Sequence, residues 1–192
     1  MESQVTCRKV LIVEDEKVVA LDLKRRLSKL GYSVIGTASN ADKVIELLKE
    51  SLPDVILMDI HIQGDKDGIE LAEIINANYS LPIIYLTAYS EEATLDRARS
   101  TRPYGYLLKP FSERELHVAI QVSMERFESD EKVRGRAEHL DYAISAAQIT
   151  TWEFNPITSE ISINNPLKGS TTIQGWNDLR SRIMPRDRHK VM

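Results

Sequence analysis

Four short apolar runs, each followed by a polar side chain, constrain the fold of this chain more than any other feature of its sequence. The runs cover residues 10–13, 55–58, 83–86 and 106–108. Continuous apolar runs of this length are typical of strands that are buried on both faces of a parallel sheet. The sequence therefore predicts an α/β fold in which helices cover both faces of one sheet.

The residues that follow these runs are polar and chemically reactive. Glu14 and Asp15 follow the first run, Asp59 the second, Thr87 the third and Lys109 the fourth. Because the carboxyl ends of parallel strands meet at one edge of the sheet, where open α/β folds bind ligands, these side chains are expected to converge. Converging carboxylates repel one another, and a hard cation such as Mg²⁺ prefers oxygen ligands. The sequence thus predicts a site for a divalent cation and a phosphoryl group.

Helical patterns fill the segments between the strands. Gly31 is placed to close the first helix, Asn40 to cap the second, and Ser112 with Glu115 to open the last through a capping box. A further strand is expected over residues 33–38. The helices are predicted at residues 17–30, 41–50, 69–77, 91–99 and from 112 onward.

Five such strand–helix units with right-handed crossovers form a doubly wound parallel sheet. The flavodoxin-like (βα)5 order, 2-1-3-4-5, places the first and third strands side by side at the switch point. Glu14, Asp15 and Asp59 are expected to meet there.

Composition places the chain among ordinary globular proteins. Of its 192 residues, 42% are hydrophobic and 28% are charged, and the formal net charge of -4 gives no overall attraction to nucleic acid or to an anionic membrane. A basic stretch over 180–190 lacks interleaved aromatic residues and is interpreted as a solvated helix face. Cys7 is the one cysteine, which fits a cytoplasmic location. No signal peptide and no membrane span are expected.

The ordered set of strand-end residues resembles the receiver domain of two-component response regulators, over roughly residues 10–122. The resemblance implies a receiver domain over residues 7–125 in which Asp59 accepts a phosphoryl group in a step that depends on Mg²⁺ or Mn²⁺. The set runs Glu14, Asp15, Asp59, Thr87, Lys109 and Pro110.

The same resemblance implies a role for each of these residues. Glu14, Asp15 and Asp59 would hold the cation together with the backbone carbonyl of His61, which lies two positions past the acceptor. Lys109 would pair with a phosphoryl oxygen.

Two further residues would form the switch. Thr87 would move toward the phosphoryl group, and Tyr106 would turn inward when it does; the alternative is that Tyr106 is a plain core aromatic. Pro110 would follow a cis peptide bond. The bulky side chains of His61 and Tyr89 would flank the path of water to the acyl phosphate.

The pattern changes beyond the receiver region. Residues 126–137 are almost wholly charged and are predicted to form a helical linker. Apolar residues recur at spacings of four and three over 133–147. This stripe is either an extension of the fifth helix or a dimerising seam, and a homodimer through the receiver face and the linker helix is one expected assembly.

Residues 138–192 resemble the opening of a PAS domain. A helix leads to a strand over 149–154 that contains Trp152, and a second strand follows over 160–164, with Trp176 further on. This α+β segment is incomplete, because a PAS fold needs more strands to close its sheet. The chain is therefore expected to be a piece of a longer protein.

Taken together, these features predict a phosphorelay switch more than an enzyme. A histidine kinase or phosphotransfer protein would phosphorylate Asp59 and so control the PAS or output module, in a full-length protein that is expected to be a hybrid sensor kinase. Two alternatives stay open. An aspartyl-nucleophile phosphohydrolase usually has a second acid where His61 stands, and a receiver-like binding module would never be phosphorylated.

Overall fold

The computed structural model describes residues 7–88, 92–165 and 169–174, and the chain divides into two units after Asp130. Within the described residues, five strands alternate with five helices from Lys9 onward, in agreement with the periodicity of the sequence. The elements are β1 (Lys9–Val13), α1 (Lys17–Lys29), β2 (Ser33–Ala38), α2 (Ala41–Glu50), β3 (Val55–Asp59), α3 (Gly68–Asn78), β4 (Ile83–Ala88), α4 (Glu92–Ser100), β5 (Gly105–Lys109) and α5 (Glu113–Ala146).

The five strands form a parallel sheet in the order β2-β1-β3-β4-β5, which confirms the predicted flavodoxin-like topology. Val13 of β1 lies opposite Met58 of β3, and Asp59 lies opposite Leu86 of β4. Lys109 lies opposite the last residue of β4. In this register the neighbouring strands end within two residues of one another, so the polar residues at or just after their ends lie along one edge of the sheet.

The core has two layers because successive strand side chains point to opposite faces of the sheet. Leu11 and Val13 belong to the apolar cluster under α2, α3 and α4, whereas Val10 and Ile12 belong to the cluster under α1 and α5. All four are fully buried, and each such side chain stabilises the fold by about 1.5–3 kcal/mol. The buried strands therefore hold the polar residues in place at the edge of the sheet.

The helix ends follow local signals in the sequence. Gly31 follows α1 with a φ of +86°, a left-handed conformation that glycine adopts without steric cost. The Asn40 side chain caps α2 by accepting a hydrogen bond from the N–H of Lys43. The predicted capping box before α5 is present, since the Glu115 carboxylate accepts the N–H of Ser112 at 2.7 Å.

The fifth helix is 34 residues long and runs without a break from Glu113 to Ala146. Residues 126–137 are therefore helical, and the helix continues through most of the apolar stripe. Leu116 and Ile120 in its first turns are buried in the receiver core.

The described part of the second unit holds an antiparallel sheet of three strands, β6 (Thr151–Asn155), β7 (Glu160–Asn165) and β8 (Gly169–Gln174), in that order. The first strand begins two residues later than the sequence predicts. Phe154, Ile161 and Ile173 lie side by side across the sheet, and the two isoleucines are buried. β8 is not among the predicted strands, because its one large apolar side chain is Ile173.

Several predicted features lie outside the described residues: Tyr89, the first residue of the predicted fourth helix at 91, Trp176 and the basic stretch 180–190. Among the helices that the structure does describe, none has the length and apolar character needed to span a membrane.

Candidate functional site at the carboxyl edge of the sheet

Three carboxylates lie together at the ends of β1 and β3. One oxygen from each of Glu14, Asp15 and Asp59 lies within 4.8 Å of the other two. Glu14 and Asp59 are buried, and Asp15 is partly exposed. The sequence-based prediction that these three residues meet is therefore confirmed.

Lys109 lies between the two buried carboxylates. Its Nζ is 2.6 Å from Glu14 Oε2 and 2.6 Å from Asp59 Oδ2. The ammonium reaches both oxygens because Lys109 is the last residue of β5, at the same edge of the sheet. Charge-assisted hydrogen bonds of this kind are short and strong, and here they offset the repulsion between the two carboxylates.

The second oxygen of each buried carboxylate accepts a backbone N–H from the residue two positions further along the chain. Glu16 N–H donates to Glu14 Oε1 at 3.3 Å, and His61 N–H donates to Asp59 Oδ1 at 3.1 Å. Both oxygens of each buried carboxylate therefore accept a hydrogen bond. The side chain of His61 is exposed, so its observed contact with the site is made by its backbone.

The electrostatics of the cluster favour a charged lysine. Burial alone would lower the pKa of Lys109, but hydrogen bonds and charges from Asp59 and Glu14 outweigh it and hold the Lys109 pKa above its usual value. Burial raises the pKa of Glu14 and the charge of Asp59 adds to this, while the hydrogen bond from Lys109 opposes it. The ammonium is therefore a built-in counter-charge for the buried carboxylates.

Asp15 differs from the other two carboxylates, because it makes no hydrogen bond or ion pair with any residue that the structure describes. Its oxygens are available to a ligand. A partly open set of carboxylate oxygens fits the chemistry of Mg²⁺, which takes one or two protein carboxylates and keeps several waters. The residues present therefore fit a hard divalent cation.

Thr87 and Tyr106 lie on the neighbouring strands. Thr87 is buried, and its Oγ1 donates to the carbonyl of Ala88 at 3.0 Å, a local bond between neutral groups. Tyr106 on β5 is 37% exposed, and its ring centroid is 5.9 Å from that of Tyr85. Burial raises the pKa of the Tyr106 hydroxyl. The ring therefore lies at the boundary between core and solvent.

Gly68, the first residue of α3, is not among the predicted site residues. The N–H of Gly68 donates to the carbonyl of Ile60 at 2.8 Å. A Cβ at Gly68 would lie 2.1 Å from the carbonyl oxygen of Asp59. Only a glycine permits this close approach of two backbone segments, so Gly68 fixes the chain directly behind the acidic cluster.

The preceding residue, Asp67, connects the loop after Asp59 to α4. Its side chain caps α3 in a capping box with Glu70, and its Oδ2 lies 2.9 Å from Arg97 Nη2 on α4. The spacing of Asp67 and Glu70 is a capping-box signal that could have located the start of α3. The contact with Arg97 depends on the path of the loop and has no signal in the sequence.

The sequence is similar to those of known receiver domains. A family model described as the response regulator receiver domain matches residues 10–121. The transcriptional regulatory protein PdtaR of Mycobacterium tuberculosis is 33% identical over 142 residues, which cover 74% of this chain and 69% of that protein.

Solved structures are similar in fold. The signal receiver domain of a modulated diguanylate cyclase from Desulfovibrio desulfuricans G20 is 35% identical, with a TM-score of 0.61, covering 64% of this chain and 98% of that one. The N-terminal domain of a response regulator/sensory box/GGDEF 3-domain protein from Carboxydothermus hydrogenoformans is 34% identical, with a TM-score of 0.59 and the same coverage, 64% and 98%.

Proposed function

The chain belongs to the response regulator receiver domain family, and from this premise we propose that it accepts a phosphoryl group on Asp59 in a phosphorelay. The observation that carries the proposal is the setting of Asp59, which is buried beside two other carboxylates and held by Lys109 at 2.6 Å. An aspartate carboxylate can form an acyl phosphate. Histidine kinases or phosphotransfer proteins, the partners of receiver domains, would supply the phosphoryl group.

In the proposed step, a carboxylate oxygen of Asp59 forms a bond to phosphorus while the bond between phosphorus and a nitrogen of the donor histidine breaks. Lys109 would place its ammonium on a phosphoryl oxygen, since it already contacts Asp59. The N–H of His61 orients the Asp59 carboxylate through its 3.1 Å hydrogen bond. These groups are held by strand ends, so little reorganisation is needed at the moment of transfer.

Glu14, Asp15 and Asp59, together with the backbone carbonyl of His61, would hold Mg²⁺ or Mn²⁺. When bound, the cation would offset negative charge on the phosphoryl oxygens. The carboxylate of Asp15, which has no partner among the described residues, and the clustering of all three side chains within 4.8 Å support this assignment.

Thr87 and Tyr106 would convert phosphorylation into a change of surface. The Thr87 hydroxyl now donates to a neutral carbonyl, whereas a hydrogen bond to a charged phosphoryl oxygen contributes about 1.5–3 kcal/mol. Moving Thr87 inward would free space beside Tyr106, whose ring is half exposed on β5. A switch with a gap of a few kcal/mol would be shifted by that one bond.

The receiver would act on an output module in the same protein. We assign residues 7–125 to the receiver, 126–137 to a helical linker and 138–192 to the opening of a PAS-like domain. In the last of these segments a helix is followed by a strand and then by antiparallel partner strands, and this order supports the assignment. A similar receiver is the N-terminal domain of a protein described as response regulator/sensory box/GGDEF.

In this proposal the complete protein is a cytoplasmic hybrid sensor kinase. The lone cysteine, Cys7, fits a reducing compartment. Two copies would associate through the receiver face and the linker helix.

The proposal is tested by incubating the protein with a small-molecule phosphodonor and Mg²⁺ and measuring its intact mass. One phosphoryl group is expected on the wild type and on Asp65→Asn, a control in the exposed loop after β3. None is expected on Asp59→Asn or after chelation of the metal. Labelling that survives in Asp59→Asn would overturn the assignment, and multiple turnovers of phosphodonor per chain without an acyl phosphate would favour the phosphohydrolase alternative.

A further inference from the structure

An exposed apolar stripe runs along the part of α5 that extends beyond the receiver core. Val133 is 65% exposed and Leu140 is 61% exposed. The helix that carries them is unbroken to Ala146. Spacings of four and three on a continuous helix are the geometry of a coiled-coil seam. On α5 the stripe consists of Val133, Ala137, Leu140 and the partly exposed Ile144, and Ala147 continues it directly after the end of the helix.

The stripe continues a helix that the receiver has already started. Leu116, Ile120 and Met124 bury the first turns of α5 in the receiver core. Nucleation is the costly step of helix formation, and isolated helices shorter than about 12–15 residues are marginal in water. Because the folded receiver supplies the nucleus, a seam of only two heptads can be helical before any partner binds.

Charged residues beside the stripe favour one arrangement of two copies. With Leu140 at heptad position d and Ile144 at a, Arg136 occupies position g and Asp141 occupies position e. In a parallel, in-register pair, a residue at g lies close to the residue at e five positions further along the partner helix. Arg136 of one copy would therefore face the partner's Asp141, and two-fold symmetry repeats this pairing of opposite charges.

The contacts within the helix agree with this arrangement. Arg136 and Asp141 are exposed and have no hydrogen-bond or ion-pair partner among the described residues. Arg134, at position e, instead pairs with Glu131 of its own helix. In an antiparallel pair, residues at position e would face one another. Arg134 would then pair with the partner's Asp141, and Arg136 would have no partner. Arg136, which has no partner among the described residues, is the cation that a parallel pair would use.

We propose that residues 133–147 of two copies of this chain form a parallel, in-register coiled coil in which Leu140 packs against its counterpart and Arg136 pairs with the partner's Asp141. The role of this coiled coil in signalling rests on the proposed phosphorelay function, since it would transmit the state of Asp59. Its formation does not depend on phosphorylation.

Charge reversal tests the pairing. Arg136→Asp and Asp141→Arg should each raise the dimer dissociation constant about tenfold in sedimentation equilibrium, because two attractive pairs become repulsive. An equimolar mixture should recover the wild-type constant, since the heterodimer restores both pairs. Arg134→Asp, the control, should change the constant less than about twofold. A monomeric wild type, a mixture that does not recover, or a larger effect of Arg134→Asp overturns the proposal.

Disulfide trapping tests the register. In a Cys7→Ser background, Leu140→Cys should cross-link on oxidation, because side chains at position d face each other within reach of a disulfide. Tyr142→Cys, at a position that is 74% exposed and points away from the seam, should not. The arrangement is contradicted if Leu140→Cys and Tyr142→Cys cross-link to the same extent, or if neither of them cross-links. Asp59 labelling of the wild type and of Arg136→Asp, measured in parallel, separates the two proposals. A wild type that is labelled but monomeric overturns only the coiled coil. A wild type that dimerises but is not labelled overturns only the phosphorelay.

Discussion

The ammonium of Lys109 bridges Asp59 and Glu14, 2.6 Å from an oxygen of each. The lysine therefore contacts the same carboxylates that would bind a divalent cation, and it reduces the negative charge that the cation would meet. In the proposed function, the charge of Lys109 would therefore oppose metal binding and favour phosphoryl binding.

Replacing this lysine should strengthen metal binding. Lys109→Met removes a positive charge beside two proposed ligand oxygens, so the affinity for Mg²⁺ should rise by about three- to tenfold. Isothermal titration calorimetry measures the change, with Lys66→Met, an exposed lysine of the neighbouring loop, as control. Equal affinities of wild type and Lys109→Met would show that the ammonium does not influence the cation.

Removing the carboxylate of Asp15 should weaken metal binding. Asp15→Asn is expected to weaken Mg²⁺ binding about tenfold, because hard-cation sites of this type depend on one or two carboxylates. Glu16→Gln is the matched control, since Glu16 is the exposed acidic neighbour whose side chain lies outside the cluster. If both variants bind as the wild type does, Asp15 is not a ligand.

The backbone behind Asp59 should tolerate no side chain at position 68. Gly68→Ala would place a methyl group 2.1 Å from the Asp59 carbonyl oxygen, and the forced shift should lower the free energy of unfolding by about 1–3 kcal/mol. Urea denaturation measures it. Gly135→Ala is the control, because its Cβ would meet nothing within 4 Å, and alanine is favoured over glycine in a helix by roughly 0.5–1 kcal/mol. Equal stability of the two variants would contradict the close approach.

Much of the site can be predicted from the sequence because strand ends obey simple rules. An apolar run fixes a buried strand, and its first polar residue must then lie at the sheet edge, which places Glu14, Asp59 and Lys109. The contacts of Gly68 and the pairing of Asp67 with Arg97 depend on the path of a loop. No periodicity encodes that path.

The second unit also contains an element that the sequence does not predict. β8 carries one large apolar side chain, Ile173, so period-two alternation is missing from its sequence. Its strand conformation instead comes from pairing along the whole of β7. The β-branched residues Thr171 and Thr172 after Gly169 were a weak signal, and tertiary context decided the outcome.

The switch proposal predicts that Thr87 is needed for a response at Tyr106. Beryllofluoride, which mimics a phosphoryl group, should shift the NMR signals of Tyr106 in the wild type and in Thr37→Ala, a control on the exposed side of β2. In Thr87→Ala the shift should fall by at least about half, because the charge-assisted hydrogen bond is lost. An undiminished shift in Thr87→Ala would show that Tyr106 responds by another route.

Chemical trapping identifies the residue that carries the acyl phosphate, which we propose to be Asp59. Borohydride reduces an aspartyl phosphate to homoserine, so the protein is treated with phosphodonor and Mg²⁺, reduced, digested and mapped by mass spectrometry. Because Asp59 is the aspartate held by Lys109 inside the acidic cluster, we expect homoserine at position 59 alone, and only when both phosphodonor and Mg²⁺ are present. Homoserine at another aspartate, or an unmodified Asp59 in a protein that has gained a phosphoryl group, would contradict it.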